Sequence, residues 1–225
     1  MESDISTLIV IAIAAVGAIV WLAGLSVMAR ATRDRRARAQ EAAARFEIED
    51  AAAGGTIVGD TDVRGRPEEL SEKLARLLAR DGMGPMGPVR IVACDPAELA
   101  FEPAGAGTGS PGYAGAGIYR GRFRFTPKGS LTRIEYAVEA PTGRVLLALG
   151  WLFVALGFAA LVGGCWVMFT YVLPSPNPNV RGQAFQMAQV VHLLWPPFLF
   201  ASLSRQPARW ITARIDALVN NLPYS

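Results

Sequence analysis

Residues 145–203 read VLLALGWLFVALGFAALVGGCWVMFTYVLPSPNPNVRGQAFQMAQVVHLLWPPFLFASL, and they hold two apolar stretches, 145–173 and 184–203, on either side of a proline-rich turn. A third apolar stretch, residues 5–28, lies near the start of the chain. Each is long enough to cross a hydrocarbon core of about 30 Å as a helix, which takes about 20 residues. The sequence therefore predicts a membrane protein with three transmembrane α-helices.

Composition and charge are explained by the predicted spans and say little more about function. The chain has 225 residues, 52% of them hydrophobic, and a formal net charge of +3. The apolar content follows from the three stretches, and the arginines crowd their ends, so we predict no nucleic-acid partner. Cys94 lies in the hydrophilic block and Cys165 in the second stretch, which excludes a disulfide framework.

Arginine clusters orient the predicted helices. One cluster directly follows the first stretch and another follows the third. Because positive residues accumulate on the cytoplasmic side, the N-terminus is expected outside and the C-terminus inside a bacterial-type inner membrane. Glu2 and Asp4 precede the first stretch, where a cleaved signal peptide would be basic, so this stretch is interpreted as a retained anchor.

The chain divides into seven predicted parts. Residues 29–55 are expected to form a helical stalk, because residues 28–53 lack Gly and Pro and Gly54-Gly55 then ends the helix. The parts, in chain order, are a transmembrane anchor (1–28), the stalk (29–55), a cytoplasmic α+β domain (56–142), the second transmembrane helix (145–173), an extracytoplasmic turn (174–183), the third transmembrane helix (184–203) and an amphipathic interfacial helix (205–225).

The small cytoplasmic α+β domain between the first two spans is predicted as an antiparallel sheet with one helix. Residues 67–80 place four leucines on one helix face, and Gly82 stops that helix. Strands are expected over 56–63, 89–93, 97–101, 119–125 and 131–138, the last two forming a hairpin, with a flexible Gly-rich loop over 104–117.

The C-terminal segment also alternates with a helical period. Ile211, Ile215, Leu218 and Leu222 fall on one face of a helix. Such a helix either lies on the cytoplasmic leaflet or packs on the sheet domain, and pattern alone does not separate the two. We predict that it lies on the cytoplasmic leaflet.

Polar residues in the third span are the main functional candidates. Gln183, Gln186, Gln189 and His192 recur every three residues. Polar groups at this depth are costly unless paired, so we predict that Gln186, Gln189 and His192 form an interhelical polar face directed at another helix or a water-filled space. Pro196 and Pro197 are expected to kink the helix beyond them.

The segment Ala188-Gln189-Val190-Val191-His192 resembles the Ala-xxx-His spacing of bacterial light-harvesting polypeptides. In that family the small residue leaves room for a bacteriochlorophyll macrocycle and the imidazole ligates its magnesium. The resemblance covers five residues of one helix, and it implies pigment or haem ligation by His192 as an alternative role. Otherwise no cofactor is predicted.

Two further sets of residues are candidate contacts. Arg120, Arg122 and Arg124 alternate with aromatic residues, so one face of their strand is basic and can meet anionic lipid or an acidic partner, or stay solvated. Small residues at helix-packing spacing predict close helix contacts. They are Ala159 with Gly163 and Ala160 with Gly164.

No complete catalytic set is present, so we predict a non-enzymatic protein without a metal site. His192 is the single histidine, and Gly107–Gly112 matches GxGxxG only formally, since Pro111 interrupts it and a strand follows. The favoured function is an accessory or scaffold subunit that stabilises a larger integral-membrane complex. The alternatives are a membrane-tethered ligand- or lipid-binding sensor module and, third, a pigment- or haem-ligating subunit.

Overall fold

A computed structural model describes residues 2–46, 56–83, 88–104, 120–140 and 142–222. The chain forms two compact units. The first comprises residues 1–32 and 146–203, and the second comprises residues 33–145 and 204–225. Three helical segments of the described chain are long and apolar enough to cross a membrane. They are Ile5–Phe46, Thr142–Val172 and Pro178–Asn221.

The described residues form seven α-helices and five strands. The helices are α1 (Glu2–Phe46), α2 (Pro67–Asp81), α3 (Thr142–Val167), α4 (Pro178–Arg181), α5 (Val191–Leu194), α6 (Pro196–Leu203) and α7 (Gln206–Asn221). The strands are β1 (Thr56–Arg64), β2 (Val89–Cys94), β3 (Glu98–Pro103), β4 (Gly121–Lys128) and β5 (Leu131–Glu139). A π-helical turn, Met168–Val172, follows α3, and a 3₁₀ helix, Gly182–Val190, joins α4 to α5.

The first unit packs its three helical segments through small residues and buried apolar side chains. A Cβ atom added at Gly17 or Gly157 would contact Leu194, and one added at Gly150 would overlap Met28. The absence of a side chain at these glycines therefore leaves room for Leu194 and Met28. Trp21 donates its indole N–H to the carbonyl of Val154 at 2.9 Å. These contacts hold the first, second and third segments of this unit together.

The third segment departs from a regular α-helix in two places. Its first half is the 3₁₀ helix, and the helix is interrupted at Trp195, between α5 and α6. Pro196 and Pro197 follow directly and lack the N–H groups that would continue the helix. The interruption agrees with the kink that the sequence predicts at these prolines. Helical structure begins at Pro178, capped by the Asn177 side chain, so the predicted turn 174–183 is shorter than expected.

In the second unit the strands form one antiparallel sheet of order β1-β5-β4-β3-β2. The predicted hairpin is confirmed: β4 pairs with β5 from Gly121↔Val138 to Lys128↔Leu131. Gly129 sits in its two-residue turn at φ 64°, a left-handed conformation that favours glycine. The predicted leucine face is confirmed as well, because Leu70, Leu74, Leu77 and Leu78 of α2 are buried.

The C-terminal helix α7 packs into the sheet domain. Ile211 and Ile215 are fully buried, in one apolar cluster with α2 and the inner sheet face. The Lys73 ammonium of α2 donates to the carbonyl of Leu222 at 3.3 Å. The interfacial placement is therefore corrected: protein covers this apolar face, and none of it is left for a lipid leaflet. The sheet domain is thus built from two parts of the chain, with the second and third spans inserted between β5 and α7.

Other boundaries shift modestly. α1 is described as far as Phe46, so the rest of the predicted stalk, with Gly54 and Gly55, lies outside the described residues, as do Gly107–Gly112 and most of the loop 104–117. β4 begins at Gly121 rather than at residue 119, which is also undescribed. The second span begins at Thr142, at the last residue of the predicted sheet domain.

Two glycines of the sheet lie directly opposite large aromatic residues. Gly59 pairs with Tyr136, and Gly121 pairs with Phe101. A Cβ at either glycine would overlap the ring of its partner. The missing side chain therefore provides the space in which each ring lies across the neighbouring strand.

Replacement of Gly121 by alanine is expected to lower the free energy of unfolding of the sheet domain by about 1–3 kcal/mol, because the Phe101 ring must move in a packed core. Hydrogen–deuterium exchange of the sheet peptides in the full chain, in detergent micelles, measures this. Gly129→Asn is the control, since no atom lies within 4 Å of its Cβ position and Asn tolerates a left-handed backbone. Equal exchange in both variants contradicts the pairing.

Truncation of Ile215 to alanine tests the position of α7. The Ile215 side chain is fully buried. Its truncation is therefore expected to lower the free energy of unfolding of the sheet domain by about 2–5 kcal/mol. The same exchange measurement applies, and Asn220→Ala on the exposed face of α7 is the control. A helix that lay on the membrane surface would leave the sheet peptides unchanged in both variants.

Candidate functional site

The polar residues of the third span form a straight row. Gln183, Gln186 and Gln189 lie in the 3₁₀ helix Gly182–Val190. A 3₁₀ helix has 3.0 residues per turn, so side chains three apart are eclipsed and follow one another at about 6 Å. His192 comes three residues later, in α5. An α-helix would have wound these residues into a spiral, whereas the 3₁₀ geometry keeps the glutamines on one line.

This polar row points away from the other helices of its own unit. All four side chains are exposed. The opposite row of the same helix, Ala184, Met187 and Val190, packs instead against residues of α1 and α3, and Ala184 and Met187 are buried. The helices α1 and α3 therefore cover the apolar side of the 3₁₀ helix and leave its glutamine side exposed.

The depth of the row follows from helix geometry. About 2.0 Å per residue over the 3₁₀ stretch and about 1.5 Å per residue beyond it place His192 near the middle of the segment Pro178–Leu203. If this segment crosses a bilayer, His192 is too far from either interface for its short side chain to reach water. Gln183 lies close to one end and can reach the headgroup region.

The sequence pattern predicts a polar face of Gln186, Gln189 and His192 and places Gln183 in the preceding turn. The structure brings all four residues onto one exposed side. The signal was present in the sequence: a polar period of three, not 3.6, matches the 3₁₀ repeat. Long 3₁₀ stretches are uncommon, which is why the pattern was interpreted as α-helical.

The residues of the Ala-xxx-His resemblance are also exposed. Ala188 and His192 both lie outside the contacts among the three spans. Pigment or haem ligation by His192 stays a prediction. In the described residues, no group of three or more His, Cys, Asp and Glu is placed to hold a metal ion.

The two pairs of small residues in the second span serve different surfaces. A Cβ atom added at Gly164 would contact Val190 and Met187, so Gly164 lies at the contact with the third span. Ala159 and Gly163 are exposed, and nothing lies within 4 Å of the Gly163 position. One of the two predicted packing faces is thus occupied within the chain and the other is open.

The predicted basic face of the sheet is occupied by intradomain partners. Arg124 donates to the carbonyl of Arg45 at 2.9 Å and its guanidinium stacks over the ring of Phe46, both at the end of α1. Arg120 pairs with Glu139 at 3.4 Å, and Arg122 lies 3.9 Å from Glu98. The last turns of α1 therefore lie on the outer sheet face, and the three arginines are balanced by nearby carboxylates and a carbonyl.

Asp60 anchors this arrangement. Its carboxylate lies 2.6 Å from Arg133 of β5 and 3.2 Å from Arg45 of α1. The hydrogen bonds from Arg133 and then from Arg45 lower the pKa of Asp60 below its usual value. A carboxyl whose pKa is lowered by folding stabilises the folded state above its unfolded pKa and loses that contribution as the pH falls through the folded value.

Comparisons with protein-family models, with curated proteins and with solved structures gave no match for this chain.

The Asp60 anchor predicts a small, pH-dependent coupling. In a double-mutant cycle of Arg45→Gln and Asp60→Asn, we expect about 0.5 kcal/mol of coupling in the unfolding of the sheet domain at neutral pH, since both groups are partly solvated. The coupling should be fully present above the ordinary Asp pKa of about 3.9 and should be lost as the pH falls through the lowered pKa of Asp60 in the folded state. Hydrogen exchange of peptides from residues 33–46 and β1 reports it. A coupling that persists at pH 2 contradicts the assignment.

Proposed function

We propose that this chain is an accessory or scaffold subunit that docks on a larger integral-membrane protein complex through the polar row of its third span. The exposed line of Gln183, Gln186, Gln189 and His192 is the observation that carries the proposal. The partner is a membrane helix whose own polar side chains or backbone carbonyls hydrogen-bond to this row.

Energetics favour protein over lipid as the neighbour of the row. An amide moved into an apolar medium without a hydrogen-bond partner costs roughly 2–7 kcal/mol. For Gln186, Gln189 and His192 together this cost exceeds the stability of most helix contacts. Polar residues within membrane spans therefore face other helices or water-filled cavities. Since the chain's own spans cover the opposite side of this helix, a second protein is the simplest source of partners.

The proposed placement is a bacterial-type inner membrane, crossed three times. The arginines after the first and third spans put the sheet domain and the C-terminus in the cytoplasm and the N-terminus outside. The open small-residue face of Ala159 and Gly163 supports docking as well, because it lets a second backbone approach α3 closely. Membrane lipids complete the surroundings, and no enzymatic step is assigned to the chain.

The sensor alternative has less support. A ligand-binding role predicts an apolar cavity between α2 and the sheet. Among the described residues that space is filled by Leu74, Leu78, Phe123, Ile134 and Ile215, all buried. The pigment alternative uses the same exposed face through His192 and is tested by the same purification.

The test is purification of the tagged full-length protein from native membranes in mild detergent, followed by mass spectrometry of stoichiometric partners. Wild-type protein should retain integral-membrane partners. In the variant Gln186→Leu/Gln189→Leu/His192→Leu, the amount of copurifying partner should fall by at least roughly tenfold, since interhelical polar contacts contribute about 0.6 kcal/mol each. Leucine favours membrane helices, so insertion of the variant itself is preserved.

Phe185→Leu is the matched control, because Phe185 is 64% exposed on the same 3₁₀ helix but belongs to an apolar row. It should retain the partners. If wild-type protein purifies without stoichiometric membrane partners, the subunit proposal fails. If His192→Leu removes a visible absorption band while every partner stays bound, the row is a ligation site and docking through it is refuted.

A further inference from the structure

Trp195 extends the exposed side of the third span beyond the polar row. It lies three residues after His192, and side chains three apart on a helix are neighbours, with Cβ atoms about 5–6 Å apart. Both residues are exposed, Trp195 by 50%. The amide of Phe198 donates to the carbonyl of Trp195 at 3.0 Å. In the described part of the chain, however, the indole N–H of Trp195 has no acceptor.

This N–H group lies deep in the predicted span. About 12 Å of helix separates Trp195 from Leu203, at the end of α6. The Cα–Cβ bonds of a helix tilt toward its N-terminus, here away from that nearer end. If this segment crosses a bilayer, the indole N–H therefore lies in hydrocarbon, where an unpaired donor is costly. A neighbouring protein helix is the source of acceptor that this position favours.

Two other tryptophans of the first unit show which acceptors an indole takes on a neighbouring helix. Trp21 of α1 donates its N–H to the backbone carbonyl of Val154 in α3 at 2.9 Å. Trp151 of α3 donates to the Thr32 hydroxyl of α1 at 3.1 Å. A backbone carbonyl has two lone pairs, so it accepts such a bond in addition to its helical one. Indole N–H groups on the spans of this chain thus pair with a carbonyl or a hydroxyl of another span.

We propose that Trp195 anchors the docking interface, and that its indole N–H donates to an oxygen acceptor, a backbone carbonyl or a hydroxyl, on the membrane helix of the partner. The inference rests on the proposed docking function and adds a requirement on the partner. A glutamine amide donates and accepts, so it tolerates either kind of group opposite it, whereas an indole only donates. Trp195 therefore selects for an acceptor at its end of the row. Tryptophan is also enriched among the residues that dominate binding energy at protein interfaces.

The test compares Trp195 variants of the tagged full-length protein in the purification from native membranes. Trp195→Ala should lower the amount of copurifying partner by at least roughly tenfold, as truncation of an interface anchor does. Trp195→Phe keeps an aromatic ring without the donor and should lower it by roughly threefold, the factor for one interhelical hydrogen bond. Trp166→Ala is the matched control, because Trp166 is 66% exposed on the second span, away from the row, and it should retain the partner.

A further variant carries β-(3-benzothienyl)alanine at position 195, which has the shape of tryptophan but sulfur in place of the N–H group. Its loss of partner should match that of Trp195→Phe, and because it preserves the packing it gives a result even if Trp195→Ala does not fold. The amount of each variant in the membrane fraction checks insertion.

The outcomes separate this inference from the docking function. If Trp195→Ala retains the partner while Gln186→Leu/Gln189→Leu/His192→Leu loses it, the anchor role is overturned and docking through the polar row stands. If the benzothienyl variant retains the partner in full, the hydrogen bond from the indole is overturned. Wild-type protein that purifies without membrane partners refutes the docking function and this inference with it.

Discussion

The hydrogen-bonding demand of side-chain amides in hydrocarbon is the constraint on which the account of this protein depends. Along one side of the third span, Gln186 and Gln189 of the 3₁₀ helix and His192 of α5 are exposed, while the opposite side of the 3₁₀ helix is buried against α1 and α3. A regular α-helix would spread the same residues round the axis and bury some of them among the chain's own apolar contacts. The 3₁₀ repeat separates one amide side from one apolar side, and this separation underlies the proposed docking role.

The sheet domain depends on a different constraint, the closure of its core by a distant segment. Ile211 and Ile215 of α7 fill the same apolar interior as α2 and the inner face of the sheet. The second and third spans are therefore an insertion in a domain whose last helix comes after them. Within this domain, Asp34 of α1 and Arg205, directly before α7, form an ion pair at 3.2 Å.

Sequence alone predicted the apolar spans, the leucine face of α2 and the β4–β5 hairpin, because each depends on a local pattern of period 3.6 or 2 or on a long apolar run. It did not place α7, since an amphipathic helix presents the same pattern to a lipid leaflet and to a sheet. The alternation of Arg120, Arg122 and Arg124 was visible, but not the partners Arg45, Glu98 and Glu139, which come from distant positions.

The most direct test of the account is site-specific photo-crosslinking in native membranes, with a photoreactive amino acid at position 186 of the full-length chain. We predict one discrete adduct with an integral-membrane protein, absent when the probe replaces Ile19, which is 67% exposed on the first span. Adducts with lipid alone at both positions would show that the polar row faces the bilayer, and would refute docking through this row.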